Sequence, residues 1–210
     1  MGIKTGGTKV KNICVFAGSN PGRNPEYRDA AKSLGLVMAK SGLSLVYGGS
    51  SKGLMGIVAD AVLENGGIAI GVMPAFLSRK ELKHHHLTHF YETEGMHERK
   101  AKMGELSDAF VALPGGYGTF EEIFEVLSWA QLGIHQKPIG LLNAAGYFNP
   151  LLQLVEKGID DGFIRPEYLD LFVCESDAEA LVKKLFSYRP PKPVLKWEEL
   201  APQKGASKRS

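Results

Sequence analysis

Six short apolar runs recur along the chain, and none of them alternates with polar residues. They are residues 12–17 (NICVFA), 43–47 (LSLVY), 68–73 (IAIGVM), 108–113 (DAFVAL), 138–142 (PIGLL) and 171–174 (LFVC). A strand with one wet face alternates. A near-continuous apolar run needs cover on both faces, as in a parallel sheet between helices. The intervening stretches, 26–41, 54–65, 96–107, 119–132, 148–161 and 177–188, carry apolar residues at helical spacing. Strand and helix taking turns throughout predicts one α/β domain, a doubly wound Rossmann-like parallel sheet with helices on both faces. That domain spans residues 12–188, after a flexible segment 1–11. The RPPKP stretch closes it and opens a basic, proline-rich tail over 189–210. Residues 74–94, which include His84, His85 and His86, are the least regular and read as a mobile connection.

Composition narrows the function classes. The 210 residues include 25 glycines, about 10 more than average usage gives. There is no Gly-X-Y period, and 44% hydrophobic content excludes both collagen and disorder. Net charge is +2, yet three lysines lie in residues 1–11 and a net +4 in 189–210, which leaves −5 for residues 12–188. The basic excess belongs to the tails, so a nucleic-acid partner is not expected. Cys14 and Cys174 stand far apart in apolar runs, unlike a disulfide framework or zinc site. With no apolar leader and no run of about 18 apolar residues, no membrane partner is expected and a reducing cytoplasm fits.

Nine of the glycines fall in three turns, each directly after an apolar run. The first is Gly18-Ser19-Asn20-Pro21-Gly22; the second runs from Gly48 and Gly49 to Gly53 and Gly56; the third is Pro114-Gly115-Gly116-Tyr117-Gly118-Thr119. Turns at the carboxyl ends of parallel strands are where open α/β sheets bind ligands. Free N–H groups at a helix start make an anion site there, so a phosphorylated ligand is expected. Two common phosphate fingerprints fail. Gly48 and Gly53 have Walker A spacing, but Leu54 replaces the required lysine, which disfavours an ATPase. Gly116-Tyr117-Gly118 begins a dinucleotide fingerprint, but Glu121 stands at its third glycine, which disfavours nicotinamide chemistry.

Glu121 and Glu122 admit two readings. Thr119-x-x-Glu122 fits a capping box at the start of a helix. Alternatively, a carboxylate beside a phosphate loop faces the sugar of a nucleotide and steadies an oxocarbenium-like transition state. One residue can serve both. Residues 96–100 (MHERK) form either a solvated charged face or a source of ligand contacts from Arg99 and Lys100, arginine suiting a phosphate or purine nitrogen. His84, His85, His86 and His89 lack convergent partners for a metal. No Gly-x-Ser-x-Gly elbow supports hydrolysis by a serine triad.

Residues 114–122 (PGGYGTFEE) match the PGGxGTxxE pattern, and the chain resembles the Lonely Guy (LOG) family of cytokinin riboside 5′-monophosphate phosphoribohydrolases, sometimes labelled lysine decarboxylase-like. FAGSNPG, VYGGSSKGLMG, GMHERKAKM and WAQLGIHQKPIGLLN follow the family order over residues 12–188, closest to bacterial members. The resemblance implies hydrolysis of the N-glycosidic bond of an N6-modified adenosine monophosphate, without a cofactor, by a homodimer. It implies Arg99 and Glu122 as the catalytic pair, and Glu121 with Gly115, Gly116, Tyr117, Gly118 and Thr119 at the ribose and phosphate. Gly18, Ser19, Gly48 and Gly49 would complete the nucleotide pocket, with Glu81, Lys100 and Ser128 as further substrate contacts. Ser128 replaces the threonine of plant relatives, and Ser50 and Lys52 depart from their GGGSVG loop. A general purine 5′-monophosphate nucleosidase shares every motif. A non-catalytic carrier, like the molybdenum-cofactor carrier proteins, shares the fold expectation but needs no carboxylate at a sugar. The apolar side of residues 119–133, with Trp129, serves either a partner subunit or its own core.

Overall fold

Successive residues of each apolar run enter two different cores. In β1 (Asn12–Phe16), Ile13 and Val15 join one cluster while Cys14 and Phe16 join the other. The same division separates Leu45 from Val46 in β2 (Ser44–Tyr47) and Val111 from Phe110 in β5 (Ala109–Ala112). This is the two-sided burial that continuous hydrophobicity implies. A computed structural model describes residues 10–78 and 82–191. With β3 (Ala69–Pro74), β4 (His89–Thr93), β6 (Ile139–Leu142) and β7 (Val173–Glu175), the strands form one sheet in the order β4-β3-β2-β1-β5-β6-β7. Every pairing in it is parallel.

Helices α1 (Pro25–Lys40), α2 (Gly53–Glu64) and α7 (Ala178–Ser187) cover one face, through residues such as Leu34, Val58 and Leu181. Helices α4 (Met96–Leu106), α5 (Tyr117–Gln131) and α6 (Asn149–Asp160) cover the other, through Met103, Ile123, Leu151 and Leu152. Local chemistry sets the helix starts. Pro25 occupies the first turn of α1, and the Asn24 side chain accepts from the Glu26 N–H. Asp177 caps α7 by accepting from the Ala180 N–H. No helix among the described residues is long and apolar enough to cross a membrane.

The largest departure from expectation lies in residues 74–94. That segment holds a short helix, α3 (Ala75–Ser78), and a whole strand, β4, paired with β3 from Ile70↔His89 to Pro74↔Thr93. As an edge strand, β4 exposes His89, Tyr91 and Glu92, so it lacks the continuous apolar run that marks its neighbours. Its strand-forming residues Phe90, Tyr91 and Thr93 were the available signal. Of the histidines, His84 has a packing role. His84 is buried with Nε2 at 2.9 Å from Asp60 Oδ1, and its Nδ1 accepts from the His86 N–H. Among the described residues, no three His, Cys, Asp or Glu side chains form a group able to hold a metal.

Candidate active site

The sheet order reverses at β1, whose neighbours β2 and β5 lead away in opposite directions. At that switch point the first and third glycine turns separate, and a crevice opens beyond the strand ends. Backbone hydrogen bonds join the three turns. Gly18 N–H donates to Pro114 O at 3.0 Å, and Leu54 N–H donates to Gly18 O at 2.9 Å. The crevice measures about 450 Å³, within the size range of small-molecule sites. Gly18, Ser19, Gly48, Gly116, Tyr117, Gly118 and Thr119 line it, with Arg99 and Glu122.

Helix α5 begins at Tyr117 with Gly116 as its N-cap, and no side chain caps it. Thr119 and Glu122 therefore lie inside the helix, and the capping-box reading fails because the helix starts three residues earlier than that motif requires. The start instead leaves first-turn N–H groups at the crevice, where the helix dipole is positive. Glu122 is free of capping duty and reaches across to α4. Arg99 Nη1 donates to Glu122 Oε1 at 3.0 Å, and Arg99 Nε donates to the Val72 carbonyl at 3.3 Å. Both side chains are about nine-tenths buried, at 11% and 9% exposure. Gly48 makes room for this pair: a Cβ there would stand 2.5 Å from Arg99 Nη2.

Burial pushes the Glu122 carboxyl above the ordinary carboxylate range, and the Arg99 charge and hydrogen bond only partly offset that. An acid raised by burial inside a crevice is a candidate for chemistry. Cys14 is fully buried, and burial, with the Glu122 charge, pushes its thiol up, so it stays protonated and is no nucleophile.

The adjacent residues make a second ion cluster outside the crevice. Lys100 Nζ donates to Glu121 Oε1 at 2.8 Å and to Glu125 Oε1 at 2.9 Å. Lys100 and Glu125, with Trp129 and the far side of Glu122, also border a separate gap of about 10 Å³. Neither Lys100 nor Glu121 lines the main crevice. Gly115 lies behind it against Thr119, Gly49 packs its left-handed turn (φ 75°) on Gly71, and Ser128 is exposed further along α5. Glu81 lies outside the described residues. The wall formed by Met55, Met73, Leu77 and Leu82, and the polar pair Ser50 and Lys52, complete the lining. Met73 ends an apolar run at the sheet's carboxyl edge, which was a usable signal. Leu77 and Leu82 join the wall only through the path of a segment with no periodicity.

The model of a family described as "Possible lysine decarboxylase" matches residues 55–185. A probable cytokinin riboside 5′-monophosphate phosphoribohydrolase of Oryza sativa subsp. japonica is 52% identical over 183 residues, covering 87% of this chain and 81% of its own. A cytokinin riboside 5′-monophosphate phosphoribohydrolase of Arabidopsis thaliana is 49% identical, covering 87% and 80%. Among solved structures, the molybdenum cofactor binding protein of Rippkaea orientalis superposes with a TM-score of 0.65 at 22% identity, covering 85% of this chain and 97% of its own. At that identity the likeness concerns the fold alone. With half the sequence shared over most of both chains, this protein belongs to the Lonely Guy (LOG) family.

Proposed function

We propose that this protein hydrolyses the N-glycosidic bond of N6-modified adenosine 5′-monophosphates, releasing the free base and ribose 5-phosphate without a cofactor. The observation that carries this is a buried arginine–carboxylate pair at the wall of a crevice rimmed by glycine turns. The turns and the start of α5 hold the 5′-phosphate. Ionised Glu122 stabilises positive charge growing at C1′ and orients the attacking water, whose hydroxyl bonds to C1′ while its proton goes to the departing base. Arg99 fixes the Glu122 carboxylate and polarises the nucleotide. Gly18, Ser19, Gly48, Gly116, Tyr117, Gly118 and Thr119 contact the substrate directly; Gly49 and Gly115 shape the turns behind them, and Lys100, Glu121 and Ser128 stand outside the lining. The relatives bear the same activity in their names. We place the protein in the cytoplasm as a homodimer, using the exposed Phe124 and Leu132 side of α5 and its end, with neither nucleic acid nor membrane as partner.

A general purine 5′-monophosphate nucleosidase would need the same phosphate loops. The apolar wall of Met55, Met73, Leu77 and Leu82 favours the narrower reading, since it suits a hydrophobic N6 substituent and offers unmodified adenine nothing polar. The carrier reading leaves the Arg99–Glu122 pair without a task. Incubation with AMP and with isopentenyl-AMP, quantifying free base and ribose 5-phosphate, separates the three. Faster release from isopentenyl-AMP is expected; equal rates would favour the generalist, and no base from either would favour the carrier.

A further inference from the structure

The third glycine turn is held from behind by a residue that does not line the crevice. The Tyr147 hydroxyl donates to the Gly115 carbonyl. Its ring is wedged among three others: edge-on to Tyr27 at 5.6 Å, stacked on Phe120 at 6.4 Å, and edge-on to Phe148 at 5.1 Å. The chain reaches this arrangement through a strained turn. Ala145 has φ 48° and is the sole non-glycine residue with positive φ among those described. Left-handed backbone is strained for an alanine, and such strain often accompanies a functional constraint. Asn143 braces the turn, accepting from the Phe148 N–H at 2.7 Å and donating to Asn149 Oδ1 at 2.8 Å.

We infer that Tyr147 is a positioning residue for recognition of the substrate's phosphate. In a trans peptide the C=O and the following N–H point in opposite directions. Pinning the Gly115 carbonyl to Tyr147 therefore sends the Gly116 N–H the other way, and Gly116 is a residue of the crevice lining. A flip of that peptide would turn a carbonyl oxygen toward a bound anion and remove a donor. Glycine makes such a flip easy, and Gly115 cannot be replaced, because a Cβ there would lie 2.0 Å from Thr119 Oγ1. The phenol supplies the restraint that the glycine gives up. Because Tyr147 sits on the turn after β6, the site draws on a fourth connection beyond the three glycine turns.

This inference rests on the crevice binding a nucleotide 5′-monophosphate, so the test reads the phosphate separately from the rest of the ligand. Affinities of the wild type and Tyr147→Phe are measured by calorimetry for AMP and for adenosine, which lacks the phosphate. Losing the hydroxyl while keeping the ring is expected to lower the AMP-over-adenosine preference about tenfold, with adenosine affinity kept. An unchanged preference in Tyr147→Phe would overturn the positioning role, and equal weakening of both ligands would mark the hydroxyl as merely structural. A wild type with no preference for AMP would instead overturn the phosphate reading of the crevice. Should Tyr147→Phe not fold, Asn143→Ala slackens the same turn without touching the ring. It is expected to move the preference in the same direction, about threefold, and an unchanged preference would again overturn the role.

Discussion

Two ion clusters sit side by side between the same two helices. α4 supplies Arg99 and Lys100, α5 supplies Glu121 and Glu122, and they pair in order, Arg99 with Glu122 and Lys100 with Glu121. Neighbours in sequence have opposite surroundings. Glu122 is 9% exposed and its carboxyl is raised by burial; Glu121 is 58% exposed and the Lys100 hydrogen bond lowers its carboxyl. A charge pair taken out of water gains chemical tuning at a cost in stability, whereas the outer pair is half wet: the Lys100 side chain is 10% exposed, but its partner Glu121 stands in water, which screens the interaction. On the proposed function the inner pair carries the reaction, while the outer cluster ties α4 to α5.

The widest separation is expected from breaking the inner pair. Arg99→Ala leaves a buried carboxylate unpaired. It should lower kcat/KM on the order of 10²–10³-fold and cost about 3–5 kcal/mol in urea denaturation. Gly48→Ala tests the same pair indirectly. Its added Cβ would fall 2.5 Å from Arg99 Nη2, and the displaced guanidinium should lose about tenfold or more in kcat/KM.

A pH profile sharpens the contrast. On the proposed mechanism Glu122 acts ionised, and burial raises its carboxyl, so the acid limb of kcat/KM should lie above the ordinary value of 4.5. Glu121 adds to that rise by its negative charge, so Glu121→Gln should move the limb down. The two acids also oppose each other in stability. The raised Glu122 favours the folded state below the ordinary value, and that contribution is lost as pH rises through its folded value. The lowered Glu121 stabilises above the ordinary value, and that is lost as pH falls. The smallest effect is expected from Lys100→Met, about 1 kcal/mol or less in stability and a change within about threefold in kcat/KM. A hundredfold loss there would break the distinction between the clusters.

The sheet was legible because burial on both faces writes itself into a run such as NICVFA, and the glycine turns because backbone approach leaves few residue choices. Edge strand β4 was not, since exposure replaces its hydrophobic signal with His89, Tyr91 and Glu92. Arg99 and Glu122 stood out by type and by family pattern, but charge alone could not separate either from its neighbour. Which face of a helix turns inward decides that, and the start of α5 three residues ahead of the capping-box position removed Glu122 from capping. Tyr147 gave no local sign of its role, because its partner Gly115 lies 32 residues away.

Single-turnover hydrolysis of isopentenyl-AMP by the wild type and by Glu122→Gln tests the central role of the buried carboxylate most directly. The wild type should release base and ribose 5-phosphate in equal amounts, and Glu122→Gln, which keeps the shape but loses the charge, should be slower by on the order of 10²–10³-fold. Comparable rates from the two proteins would contradict that role.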